Sequence, residues 1–130
     1  MSQRPIEVIL TRQLASTLTM PVFLVDPQGT LVFYNEPAEV VLGMRFQETG
    51  EMPADEWATL WKASDDAGGA LPSDRLPLMI AIAEHRPAHG SFWIDGLDGT
   101  QRHIEATAFP LIREPDQILG AVVIFWESPS

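Results

Sequence analysis

The stretch VFLVDPQGTLVFYN, residues 22–35, constrains the fold of this chain more than any other segment. Two runs of β-branched and aromatic residues flank the tetrapeptide DPQG, in which proline follows aspartate and glycine is fourth. This pattern predicts a β-hairpin over residues 21–34. The following residues, NEPAEVVLG, predict a helix with Asn35 as its N-cap and Gly43 at its C-terminal end. The second strand therefore leads directly into a helix.

The remaining segments complete an α+β pattern. Residues 5–19 place leucine and isoleucine at helical spacing and predict an amphipathic N-terminal helix. Residues 54–63 predict a short helix, and residues 75–85 predict another that starts near Pro77. Three later strands are predicted over residues 88–95, 100–111 and 118–127. We therefore expect a five-stranded antiparallel sheet with short helices on one face.

Charge and cysteine content exclude several classes of function. A net charge of -10 should repel nucleic-acid phosphates and anionic lipid, so neither nucleic acid nor membrane is an expected partner. The chain has no cysteine, which excludes disulfides and thiolate metal sites and fits a cytoplasmic location. No run approaches the roughly 20 apolar residues that span a bilayer.

The punctuation between the elements follows a recognisable order. The residues concerned are Asp26, Gly29 and Asn35 in the first hairpin, Pro77 and Leu78 at the long internal helix, Asp98 and Gly99 in the next turn, Pro110 and Leu111 late in the following strand, and Gly120 in the last strand. Over nearly the whole chain this order resembles that of a PAS domain. The resemblance implies a stand-alone sensory domain over residues 20–128, of the bacterial signalling type, after an N-terminal helix over residues 1–19.

The resemblance also implies structural and binding roles. Asp26, Gly29, Asn35, Asp98 and Gly99 are expected to be structural, with Asp26 and Asn35 tying the hairpin to the helix. PAS domains bind small molecules between sheet and helices. The candidate ligand-binding residues are Leu24, Phe33, Val41, Leu42, Met44, Trp57, Leu78, Met79, Ile82, Trp93, Ile104, Ala106, Val122 and Ile124. Because none is charged, we expect an apolar or aromatic ligand, although each residue also fits an ordinary core.

A homodimer is the second expectation, with a separate protein as signalling partner. Both alternating sets of side chains in GAVVIFWE, residues 120–127, are apolar, so both faces of this strand should be covered. The internal helices would cover one face, and the N-terminal helix or a second subunit the other. The candidate dimer-interface residues are Ile6, Ile9, Leu10, Leu14, Leu18, Val123 and Phe125. The alternative to a ligand sensor is therefore a ligand-free interaction module.

No residue set meets the geometric demands of catalysis or metal binding, so we expect neither an enzyme nor a metal site. Pro87 separates His85 from His89, and His103 and Glu105 share one side of a strand without a third ligand. The cofactor remains open. Some PAS domains hold haem through a histidine on the long internal helix, which makes His85 a candidate haem ligand. The photoreactive flavin subfamily uses a cysteine that this chain lacks, although a non-covalent flavin stays an alternative.

Overall fold

A computed structural model describes residues 4–128 of the chain, and these residues form an antiparallel sheet flanked by helices. The helices are α1 (Ile6–Ala15), α2 (Glu36–Leu42), α3 (Phe46–Thr49), α4 (Ala54–Leu60) and α5 (Pro77–Glu84). The strands are β1 (Val22–Val25), β2 (Leu31–Tyr34), β3 (Ala63–Ser64), β4 (Ala88–Asp95), β5 (Gln101–Glu114) and β6 (Gln117–Glu127). Their order across the sheet is β2-β1-β6-β5-β4-β3. The α+β class is confirmed, while residues 1–3 of the expected N-terminal helix lie outside the described residues.

The sheet has six strands rather than the expected five. The additional strand is β3, whose Ala63 and Ser64 pair with Ile94 and Trp93 of β4. The sequence predicted a helix through residue 63, but α4 ends at Leu60. A strand of two residues carries no alternation that a pattern can detect.

The N-terminal helix is shorter than residues 5–19. It ends at Ala15, whose carbonyl oxygen accepts a hydrogen bond from the Asn35 side chain at 2.9 Å. Leu18 therefore lies in the loop after the helix and not on its apolar stripe. The side chain of a distant residue, rather than the local sequence, fixes this end of the helix.

The sheet carries a different core on each face. We call the face under α2, α4 and α5 the inner face, and the face under α1 the outer face. Val8 and Ala15 of α1 are buried against the outer face. The expectation that the N-terminal helix covers the second face is confirmed.

The two faces of β6 are the reverse of those assigned from the sequence. Val123 and Phe125, expected at a dimer interface, lie buried in the inner core. Val122 and Ile124, expected at the ligand, lie on the outer face. The register explains this, because Val123 and Phe125 stand opposite Ala108 and Ala106 of β5. When both side-chain sets of a strand are apolar, alternation shows two covered faces without showing which is which.

Candidate ligand-binding cavity

An apolar cavity of about 70 Å³ lies between the inner face of the sheet and the internal helices. Its walls come from β1, β3, β4, β5 and β6 on one side and from α2, α4 and α5 with their flanking residues on the other. The lining residues are Phe23, Leu42, Trp57, Trp61, Ala63, Leu76, Pro77, Leu78, Phe92, Ile94, Ile104, Ala106, Val123 and Phe125. No charged side chain belongs to this wall, so the cavity suits an uncharged, apolar guest.

Two indole rings from the α4 region form one end of the wall. The Nε1–H of Trp57 donates to the Gly29 carbonyl oxygen at 2.8 Å, and that of Trp61 to the Leu42 carbonyl oxygen at 2.9 Å. The Phe23 ring lies edge-on to both, with centroid distances of 5.3 Å to Trp57 and 6.2 Å to Trp61. Since both indole donors are already bonded to backbone, neither is left to bind a guest.

Small residues on the sheet leave the space. Ala106 of β5 stands between Gly90 of β4 and Phe125 of β6 in the strand pairing. A Cβ atom on Gly90 would lie 3.3 Å from Pro77, so the start of α5 packs tightly against the sheet at this point. The expectation that small alanines on β5 leave room is confirmed for Ala106, which lines the cavity.

The structure brings together only part of the predicted ligand-binding set. Leu42, Trp57, Leu78, Ile104 and Ala106 line the cavity. The residues Val41, Met79 and Ile82 belong to the inner core or pack against it.

The other predicted residues lie elsewhere. Leu24, Phe33, Val122 and Ile124 belong to the outer core, Met44 lies beside α2 and α3, and the Trp93 ring contacts His103 on the outer face. Their assignment to the cavity is therefore wrong, because alternation on β1, β2, β4 and β6 was assigned to the wrong face.

The sequence analysis missed lining residues on three strands. Phe92 and Ile94 of β4 were passed over because Trp93 was taken as the inward residue. Gly90 and Phe92 share one side of β4, and the contact of Gly90 with α5 marks that side as the inner one. Phe23 and the pair Val123 and Phe125 sit in strands that are apolar on both faces, and such strands carry no signal for the choice.

Asn35 fastens four segments together. Its Oδ1 accepts from the N–H groups of Val22 at 2.9 Å and Ala38 at 3.2 Å. Its Nδ2 donates to the carbonyl oxygens of Ala15 and Met20, each at 2.9 Å. The side chain is buried and all its hydrogen-bonding capacity is used. The expected structural role is what these bonds describe, extended to the end of α1.

The other predicted structural residues organise turns. The Oδ1 of Asp26 accepts from the backbone N–H groups of Gln28 and Thr30, and Gly29 has φ +86° in the same turn. Asp98 pairs with Arg102, whose hydrogen bond is the main cause of the lowered pKa of that carboxyl group. Gly99 follows with φ +84°, in the left-handed region that favours glycine.

The known proteins to which this chain is similar are known through their structures. No family model matches the sequence, and no curated protein matches it significantly. An RsLOV d2 variant superimposes with a TM-score of 0.73 at 19% identity, covering 99% of this chain and 69% of that one. The Rhodobacter sphaeroides LOV protein gives 0.70 at 14% identity, covering 89% and 64%. The PAS domain of BvgS from Bordetella pertussis gives 0.57 at 12% identity, covering 95% and 87%.

This chain has the PAS fold. The resemblance read from the turn residues is thereby confirmed as to architecture, with α1 preceding the sheet. Within residues 4–128, each helix of this PAS fold is too short or too polar to span a lipid bilayer.

Neither haem nor a flavin fits the cavity of this PAS fold. The cavity volume of about 70 Å³ is far below the roughly 300 Å³ at which ligand pockets begin. His85, the candidate haem ligand, is exposed, caps the C-terminus of α5 with φ +54°, and is not part of the lining. A flavin ring needs hydrogen-bonding partners, and the wall offers none. Among residues 4–128, no group of three or more histidine or acidic side chains is arranged to hold a metal ion.

Proposed function

We propose that this chain is a sensory module that binds a small apolar molecule in the inner cavity and signals to a partner protein in the cytoplasm. The observation that carries the proposal is the cavity wall, which is made of hydrophobic side chains whose indole N–H groups are already bonded. Space of this kind stays dry and favours apolar guests. The proposal assigns binding and signalling to the chain and no catalytic step.

The size of the cavity limits the ligand to a few heavy atoms. An engineered apolar cavity of about 150 Å³ binds benzene or xenon. The present cavity, at about 70 Å³, has half that volume. A dissolved gas or a very short hydrocarbon therefore fits without displacement of the wall, whereas a fatty acid or an aromatic ring requires the internal helices to move. Support for a sensory role comes from the PAS and LOV domains to which the fold is similar.

Xenon is a suitable probe for this proposal because it is apolar and monatomic. We expect xenon pressure to shift the amide NMR signals of residues around the cavity in a saturable manner. Ala106→Val should abolish these shifts, since the added methyl groups occupy the cavity. Ala83→Val, on the exposed side of α5, makes the same change away from the cavity and should leave the shifts intact. Equal shifts in both variants, or none in the wild type, would refute the proposed site.

The exposed face of α1 favours a second proposal, a homodimer formed through this helix. Ile6, Leu10 and Leu14 lie on one face of the helix and are 62%, 55% and 60% exposed. Ile9 beside them is 40% exposed. An apolar stripe on a soluble domain is typical of an interaction site. Of the residues expected at the interface, these four remain candidates, and Leu18 lies in the adjoining loop.

The dimer is tested by the mass of the particle in solution. Sedimentation at micromolar concentration should give twice the subunit mass for the wild type. The double variant Leu10→Asp and Leu14→Asp should sediment as a monomer, because the charges would be buried unpaired in the interface. Val40→Asp introduces a charge at another exposed apolar residue, on α2, and should leave the dimer unchanged. A monomeric wild type would refute the dimer without affecting the xenon experiment.

A further inference from the structure

Half of the outer face of the sheet is not covered by α1. The buried α1 residues Val8 and Ala15 pack in a cluster with residues of β1, β2 and β6. On β4 and β5 the outward side chains beyond this cluster are polar or aromatic and are partly or largely exposed. We call the following six residues the aromatic–carboxylate patch: Asp66, His89, Trp93, His103, Glu105 and Trp126.

The first unit of the patch combines two rings with a carboxylate. The Trp93 and His103 rings lie 4.9 Å apart between centroids. The Nε1–H of Trp93 donates to Oδ1 of Asp66 at 3.1 Å, and Nε2 of His103 lies 3.6 Å from the same oxygen. The Asp66 side chain is nevertheless 88% exposed, so its charge is accessible.

The second unit repeats this combination on the neighbouring strands. The His89 and Trp126 rings lie 6.2 Å apart between centroids, and Nε2 of His89 lies 3.6 Å from Oε1 of Glu105. Glu105 stands directly opposite Trp126 in the pairing of β5 with β6. Its side chain is 34% exposed. A carboxylate beside aromatic rings thus occurs twice on one face.

The charges of the patch lack basic counterparts. Among residues 4–128, neither Asp66 nor Glu105 has a lysine or arginine within ion-pair distance. Arg113, further along β5, is engaged by Glu7 at 2.8 Å, and Arg102 is engaged by Asp98 and Glu127. The chain as a whole carries a net charge of -10. A cation that approaches this face gains both Coulomb attraction and contact with ring faces.

We propose that the aromatic–carboxylate patch binds a basic segment of a partner protein, with arginine or lysine at alternate positions. The Trp93–His103 pair and Glu105 differ by one step of two residues along β5, which is about 6.8 Å. Side chains at alternate positions of an extended segment have the same spacing. One basic side chain would then meet Asp66 and Trp93 while the next meets Glu105 and Trp126. This docking surface is separate from the inner cavity and from the α1 stripe.

The test uses a blocked pentapeptide that carries arginine at its second and fourth positions and serine elsewhere. We expect saturable shifts of the Trp93 and Trp126 indole N–H signals in NMR titrations of the full chain at low ionic strength. Glu105→Gln should weaken binding by about threefold to tenfold, as expected for one charge contact next to an aromatic ring. Glu56→Gln on α4 removes the same charge from an exposed site outside the patch and should change binding less than about twofold.

Further arms separate this proposal from its competitors. Trp126→Leu keeps the net charge and should also weaken binding, because it removes a ring face. A pentapeptide with two adjacent arginines should bind more weakly than the alternating one, and tetramethylammonium more weakly still. Equal losses for Glu105→Gln and Glu56→Gln would show attraction by net charge alone and overturn the site. Equal binding of the two peptides would overturn the spacing, and equal binding of tetramethylammonium would show a small-cation site instead.

Discussion

At the scale of single residues, Asn35 determines how the first third of the chain is assembled. It accepts from two backbone N–H groups and donates to two carbonyl oxygens, which belong to α1, the following loop, β1 and α2. The side chain is only 1% exposed, so water cannot replace a lost partner. Only an amide presents both donors and acceptors in this arrangement, because a carboxylate has no N–H group to donate.

Asn35→Asp should therefore destabilise the fold strongly. The change leaves the carbonyl oxygens of Ala15 and Met20 without donors and places a buried negative charge beside them. We expect a loss of about 3 kcal/mol in the free energy of unfolding, measured by urea denaturation. Gln47→Glu makes the same amide-to-acid change on the exposed surface of α3 and should cost less than about 0.5 kcal/mol. Similar midpoints for the two variants would contradict the role given to Asn35.

At the scale of elements, α1 is held to the sheet by contacts that lie far apart in sequence. Two buried side chains pack on the outer face, Arg12 lies 4.7 Å above the Phe33 ring, and Glu7 pairs with Arg113 through two hydrogen bonds of 2.8 Å and 2.9 Å. The amphipathic pattern predicted the helix, but it assigned only the exposed stripe and passed over Val8. The partners on β2 and β5 are not visible in the local pattern, so the docked face could not be identified from it.

The Glu7–Arg113 pair predicts a pH dependence of α1 docking. The hydrogen bond from Arg113 is the main cause that lowers the pKa of Glu7 from 4.5 to about 2. Because the folded pKa lies below the ordinary one, the pair contributes to stability above pH 4.5, and this contribution is lost as the pH falls towards 2. Carboxyl NMR titration should show Glu7 titrating at the low value. Arg113→Gln should return the pKa towards 4.5, whereas Arg86→Gln, on a residue paired with Glu84, should not change it. An unchanged Glu7 titration in Arg113→Gln would refute the pairing.

At the scale of the whole molecule, the fold was predictable and the site only partly so. Turn glycines, the cap at Asn35 and the prolines of the helix starts mark element boundaries, and their order was enough to predict the PAS architecture. The cavity depends instead on which way each strand faces. β1 is buried along its whole length and β6 is apolar on both faces, so the pattern left that choice undetermined. On β4 the large Trp93 was taken for an inward residue, although its ring packs on the outer face.

The tryptophans provide a test of this two-faced arrangement. Trp57 and Trp61 line the inner cavity with 6% and 5% exposure, whereas Trp93 and Trp126 lie partly exposed on the outer face. A Trp93→Phe, Trp126→Phe variant should therefore resist fluorescence quenching by acrylamide, a polar molecule that cannot enter the apolar interior. A Trp57→Phe, Trp61→Phe variant should be quenched several times more steeply. Circular dichroism checks that each variant is folded. If the second pair of substitutions prevents folding, Trp93→Phe and Trp126→Phe singly should each lower the quenchable fraction. Equal quenching of inner and outer tryptophans would mean that the sheet does not separate two cores.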